Sequence, residues 1–267
     1  MNMMQPGAGA LIKEWRQRRR MSQLDLALEA EISQRHLSFL ESGRSSPSRE
    51  MVLRLAERLA VPLRQRNQML VAAGFAPIYG ERNIEDDAFR PALAAVELVL
   101  KGHEPYPAIA VDRGWNMVLA NAAVGPLLAG IEEQSLLTPP VNVLRLTLHP
   151  KGLAPRVVNL DEWRNHLIER LKLQIEASAD PALEALEKEL SAYPGRPRGN
   201  GKVYDAAANV AVPLRLRAGD EVLSFISTIT VFGTPLDVTL SEIAIESFFP
   251  ADARTAELLR MLGSGGQ

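Results

Sequence analysis

Apolar residues recur at helical spacing through residues 8–75, and capping residues cut the pattern into five short pieces. Leu11, Ile12 and Trp15 mark one face of a first helix that ends in a basic run, Arg16 to Arg20. Ser22 suits an N-cap for a second helix over 23–30, with Leu24, Ala27 and Leu28 expected inward. Ser33 is another N-cap only eleven residues on, opening a helix over 34–41 in which Leu37 and Leu40 share a face. Gly43 stops that helix and Pro47 breaks the chain. Val52, Leu55, Ala56 and Leu59 follow at core spacing, and Pro62 starts a fifth helix that runs to about Gly74.

Two N-caps so close leave room for a tight turn between short helices, which is the helix-turn-helix layout. The second helix of the pair then turns Gln34, Arg35 and Ser38 outward. Gln pairs bidentately with adenine, Arg with guanine, and Ser with either. The helix mouth at Ser33 belongs to the same face. At Ser22-Gln23 the unpaired N–H groups of the preceding helix suit a phosphate, and Arg44, Ser45 and Ser46 add candidate backbone contacts.

Beyond residue 76 the texture changes. Residues 77–106 carry Pro77, Pro91, Gly102, Pro105 and an acidic run at Glu85-Asp86-Asp87, and read as a linker with one short helix from Pro91 to Leu100. Short strands at 108–111 and 115–119 flank the turn Asp112-Arg113-Gly114. Helices are expected over 121–128, 141–148, 160–177 and 181–193, then strands over 209–217, 221–232 and 236–249, and a last helix. Ala218-Gly219-Asp220 and Gly233-Thr234-Pro235 read as short hairpin connectors. Two strands plus three make one five-stranded antiparallel sheet with helices. The fold class is therefore α+β: an all-α helix-turn-helix domain at 1–76 and a PAS-like domain at 107–262, with 263–267 as a disordered tail. Such a sheet and its helices enclose a pocket.

Composition narrows the function classes. The 267 residues are 46% hydrophobic and contain no cysteine, so there is no disulfide framework, thiolate metal site or cysteine nucleophile. None of the four histidines pair at metal-ligand spacing. No apolar run is long enough for a membrane span, and the N-terminal residues lack a basic-then-apolar leader, so a cytoplasmic protein is expected. The net charge of −2 hides an asymmetry: residues 1–80 hold twelve Lys+Arg against seven Asp+Glu, the remainder eighteen against twenty-five. A basic piece on an acidic body fits a polyanion partner. Gly195 to Lys202 has the wrong spacing for a phosphate loop, and no nucleophile elbow occurs, so no catalytic residue, metal or cofactor is assigned.

The pattern Ser22-Gln23-Leu24-x-Leu-Ala, then Ile32-Ser33-Gln34-x-x-Leu37-Ser38-x-Leu40-Glu41-x-Gly43-x-x-x-Pro47-Ser48, resembles the xenobiotic-response-element (lambda-repressor-like) family. That resemblance implies a five-helix domain whose third helix enters the major groove. It assigns Gln23 to a phosphate, Gln34 and Arg35 to bases, and places Phe39 on the DNA side. Two departures stand out. Glu31 occupies a turn position where the family often has Gly, which calls for a left-handed backbone. Phe39 replaces a common polar reader; it either meets a thymine methyl or packs on a neighbouring helix.

A second resemblance rests on Trp115-Asn116-x-x-x-Ala120-Asn121-x-Ala123, Asn142-x-x-Arg145, Leu148-His149-Pro150 and Val231-Phe232-Gly233-Thr234-Pro235, which are similar to the ligand-binding domain of MmyB-like regulators. It implies a cavity for a fatty-acid-like or other small amphipathic ligand. Trp115, Asn121, Arg145 and His149 are the candidates to line it; the alternative for each is a structural bond within the domain. The expected protein is a ligand-controlled transcription regulator that binds double-stranded DNA as a homodimer, with no membrane partner. An antitoxin-like interaction module is the other reading, and a hydrolase a third.

Overall fold

The computed structural model describes residues 6–194, 212–232 and 237–264. The chain forms two compact units divided at 82/83, with residues 237–241 returning to the first.

The first unit opens with five helices: α1 (Ala8–Arg18), α2 (Gln23–Glu29), α3 (Gln34–Glu41), α4 (Arg49–Arg58) and α5 (Leu63–Ala72). Ile12, Trp15, Leu37, Leu40, Val52, Leu55, Ala56 and Leu59 are buried, as the spacing predicts. The second helix departs from expectation. Leu26 and Ala27 are its buried residues, while Leu24 is 50% and Leu28 68% exposed. A seven-residue helix packed on α3 and α4 buries one row only, and the Ser22 cap sets that row at Leu26. At Gly9 helix α1 runs so close to α3 that an added Cβ would lie 2.0 Å from the Leu40 carbonyl oxygen.

Residues 78–82 and 237–241 complete this unit. The Asn67 side chain accepts from the Ile78 and Tyr79 amides and donates to the Tyr79 carbonyl at 2.8 Å. Asp237 pairs with Gly80 in a parallel bridge, and Val238 N–H donates to the Gly80 carbonyl at 2.7 Å. The strand expected over 236–249 is therefore broken. Its first part forms a short helix, α10 (Val238–Ser241), capped by the Asp237 carboxylate and burying Val238.

The second unit begins with α6 (Arg90–Gly102), whose Val96 and Leu100 are buried. The segment expected as a linker thus supplies core residues, because α6 packs on the sheet. Strands β1 (Ala108–Val111), β2 (Met117–Ala120), β3 (Leu214–Ala218), β4 (Glu221–Val231) and β5 (Ala244–Pro250) form one antiparallel sheet in the order β2-β1-β5-β4-β3. The two-plus-three expectation holds. Between β2 and β3 lie α7 (Val143–Leu148), α8 (Leu160–Ser178) and α9 (Pro181–Ala192), near their predicted bounds. Residues Ala122–Leu128 form a 3-10 helix, not the expected α-helix; Pro126 inside it lacks an N–H donor. The last helix, α11 (Ala253–Ser264), takes in the first residues of the expected tail. Residues 265–267, the loop at 195–202, the strand start at 209–211 and the connector at 233–235 lie outside the described residues. One core gathers Trp115, Trp163, Leu167, Leu171, Leu186, Leu223 and Phe225. No described helix is long and apolar enough to cross a membrane.

Candidate nucleic-acid interface and sensor residues

Helices α2 and α3 are held by caps that also fix their mouths. The Ser22 hydroxyl accepts from the Asp25 amide at 3.1 Å while the Asp25 carboxylate accepts from the Ser22 amide at 2.9 Å, a closed capping box. These bonds from Ser22 hold the Asp25 carboxyl below its usual range. Ser33 caps α3, its hydroxyl accepting from the His36 amide at 3.1 Å. Between the caps, Glu31 has φ of 56°, the left-handed conformation expected at that turn.

The frame behind the helices is a buried ion pair. Arg16 donates to both oxygens of Glu41, at 2.6 and 2.8 Å, and to the Met21 carbonyl at 2.8 Å. Gln23 donates its side-chain amide to Glu41 at 2.8 Å. Burial pushes the Glu41 carboxyl up, but the bonds from Arg16 and Gln23 and the charge of Arg16 outweigh it and hold the pKa down. One carboxylate on α3 thereby ties α1 and the start of α2. Sequence reading missed this: Arg16 looked like part of a basic helix end. The Gln23 side chain is thus held at the mouth of α2 through one of its two N–H donors.

On the outer side, Gln34 and Arg35 are exposed, and Ser38 and Phe39 are half-buried. The guanidinium groups of Arg35 and Arg44 lie over the Phe39 ring at 5.4 and 5.9 Å. Phe39 therefore serves as a platform for two cations, a role neither sequence reading included. Gly43, at φ of 72°, turns the chain so that the Arg44 and Ser45 amides donate to the Phe39 carbonyl. Arg44 and Ser46 stay exposed. The seven polar candidates and Phe39 thus fall on α2, α3 and the loop that follows.

The four sensor candidates have three separate sets of partners. Asn121 is buried; its amide donates to the Leu100 and Tyr106 carbonyls at 3.1 and 2.8 Å and its oxygen accepts from the Ala108 amide at 3.1 Å. Arg145 grips Glu189 with three bonds, Nε to the two carboxylate oxygens at 2.9 and 3.1 Å and Nη2 to one of them at 2.8 Å, and the Tyr193 hydroxyl donates to the same carboxylate at 2.6 Å. Burial and that carboxylate push Tyr193 up to about 12. His149 meets the Tyr193 ring edge-on and accepts from the Lys151 amide through Nδ1. Trp115, with φ of 66°, donates its indole N–H to Gln174 at 2.7 Å and stacks under Arg170 at 4.3 Å. Arg170, which sequence reading passed over, is paired in turn with the buried Glu246 of β5. A cleft of about 580 Å³ beside α11, lined by Glu104, Ala122, Pro126, Leu259, Arg260 and Leu262, holds none of the four. Among the described residues no group of three or more acidic or histidine side chains is arranged to hold a metal.

Two family models match the chain. A helix-turn-helix model matches residues 12–65, and the MmyB-like transcription regulator ligand binding domain matches residues 92–262. Both describe regulator domains and neither an enzyme family. No curated protein matches the chain.

Proposed function

The chain belongs to the MmyB-like transcription regulators, and from that premise we propose that it is a ligand-responsive regulator that reads base edges with α3. The carrying observation is the pair Gln34 and Arg35, exposed in the first turn of a capped helix whose back is fixed by Leu37, Leu40 and Glu41. A rigid back and long amide and guanidinium fronts suit bidentate reading of adenine and guanine. Gln23, Ser33, Arg44 and Ser46 then set register on the phosphates, and Ser38 bonds to either base. Phe39 holds the guanidinium groups of Arg35 and Arg44 against its ring. A two-fold dimer is part of the proposal, since one such helix covers one half-site.

The second unit acts as the sensor for a small amphipathic molecule. Its ligand shifts DNA affinity only as far as it binds the two arrangements of the protein differently. Of the four candidates, Trp115 is carried forward as a wall of the ligand site. The bonds within the domain made by Asn121, Arg145 and His149 favour structural roles for them.

The experiment is a salt titration of binding to DNA from the protein's own promoter region, with wild type and Gln34→Ala/Arg35→Ala. The substitution is expected to cost about 1–3 kcal/mol of discrimination per lost pair while weak, salt-sensitive binding persists. Equal specific binding by both proteins refutes base reading by α3.

A further inference from the structure

Helix α8 carries a row of side chains that its core role leaves incompletely used. Trp163, His166, Arg170 and Gln174 recur at three- and four-residue steps and so lie along one face. Arg170 spends the end of its guanidinium on Glu246, with two bonds of 3.1 Å. Its Nε–H is buried and has no partner, and the buried indole N–H of Trp163 has none either. Buried donors without acceptors raise the free energy of the fold, so two on one helix face point to a missing acceptor.

The sheet opposite supplies an apolar wall. Ile229 stands directly across from Glu246 in the β4–β5 ladder, and Val231 across from Ala244, so all four share the face on which Glu246 meets Arg170. Leu223 and Phe225, earlier on the same face of β4, are buried, yet Ile229 is 46% and Val231 60% exposed. An open apolar strand end thus adjoins a charge pair with donors to spare.

We propose that the sensor unit takes a small amphipath with an uncharged, hydrogen-bond-accepting head (a lactone, ester or amide carbonyl) at Arg170 and Trp163, its apolar body lying along Ile229 and Val231. This rests on the sensor reading above and names the chemical class for it. The charge balance selects the head. Glu246 already neutralises Arg170, so a carboxylate arriving there meets the repulsion of Glu246, and the described residues bonded to this pair add no second cation. His166 does not supply one: burial and the nearby Arg170 charge push its pKa down. A neutral carbonyl accepts from both donors and adds no charge. Trp115, flat beneath the guanidinium, closes the polar end.

The test is calorimetric titration of the full chain with γ-decalactone and, separately, decanoate, which match in chain length and differ in head charge. The lactone is expected to bind about tenfold tighter or more. Trp163→Phe keeps the ring and removes one donor, and is expected to weaken lactone binding about fivefold. Ile229→Asp, at an exposed position, weakens it about tenfold with the circular dichroism spectrum unchanged. Decanoate binding as tight as the lactone, or lactone affinity indifferent to both substitutions, overturns the site and leaves the sensor reading standing. No binding of either probe, together with no small molecule released on denaturing the purified protein and seen by mass spectrometry, overturns both.

Discussion

The two units use buried charge for opposite ends. In the DNA-reading unit the deeply buried pair Arg16–Glu41 has side chains 10% and 2% exposed, and its bonds close on Met21 and Gln23. It orients three helices and leaves Gln34 and Arg35 facing solvent. In the sensor unit the pair Arg170–Glu246, the most buried among the described residues, leaves a donor of Arg170 unspent and sits beside an exposed apolar strand end. A pair whose buried polar atoms all have partners is a frame. A pair with bonds to spare at the edge of a core is suited to a guest. The contrast teaches that satisfaction of a buried charge, more than its burial, separates support from reception.

Removing one side of the frame is expected to have the largest effect. Glu41→Ala leaves Arg16 buried and unpaired, and the reading unit should lose about 3–5 kcal/mol in denaturant unfolding. Arg16→Met/Glu41→Leu should recover most of that loss. A cost under about 1 kcal/mol for the single change would break the comparison, because the pair would then behave as a surface one. The same pair predicts an acid limb. The Glu41 carboxyl is held below its usual value of 4.5 in the folded chain. Its contribution is thus complete above that value and disappears as pH falls through the lowered one. Glu41→Gln should flatten this limb of the stability profile.

Next in size is Gly9→Ala. The new methyl would lie 2.0 Å from the Leu40 carbonyl oxygen, so α1 must shift off α3. A loss of about 1–3 kcal/mol is expected. Thermal unfolding at wild-type temperature would show that the two helices have slack, and the tight frame argued for Arg16 and Glu41 would weaken with it.

The reading unit was largely legible in the sequence because its signals are local. Ser22, Ser33, Gly43 and Pro47 punctuate within a few residues of what they control, and the Glu31 turn conformation followed from its position. Leu24 and Leu28 were misplaced because periodicity alone does not say which of two adjacent rows a short helix buries. In the sensor unit the elements were legible but the site was not. Arg170 and Glu246 are 76 residues apart, and only strand order brings them together. Arg145 and Asn121 stood out as polar residues among apolar neighbours, yet their partners, Glu189 and the Leu100 and Tyr106 carbonyls, lie far along the chain. The strand predicted over 236–249 failed for a related reason: Val238 and Leu240 look like strand residues, and the partner of Val238 is Gly80, far earlier in the chain and in the same unit.

A smaller effect, of opposite sign, comes from Glu31→Gly. A residue with a side chain at φ of 56° carries a strain of about 1 kcal/mol that glycine relieves. The reading unit should therefore gain somewhat less than that, since glycine also loosens the unfolded chain. A loss instead would show that the Glu31 side chain does something for the turn beyond occupying it.

The smallest effect is expected at Arg145, which sequence reading placed among the residues lining the ligand cavity. Arg145 and Glu189 are 42% and 38% exposed, so water screens both. Arg145→Met keeps the aliphatic stem and should cost about 0.5 kcal/mol. It should also leave γ-decalactone binding unchanged, whereas Trp163→Phe reduces it. That difference sharpens the contrast between units within one of them: a half-exposed pair whose bonds are all made contributes little either to stability or to reception. Should Arg145→Met abolish lactone binding without unfolding the chain, the receptive charge of the sensor unit would be Arg145, and the spare donors of Arg170 would be no guide to where a ligand sits.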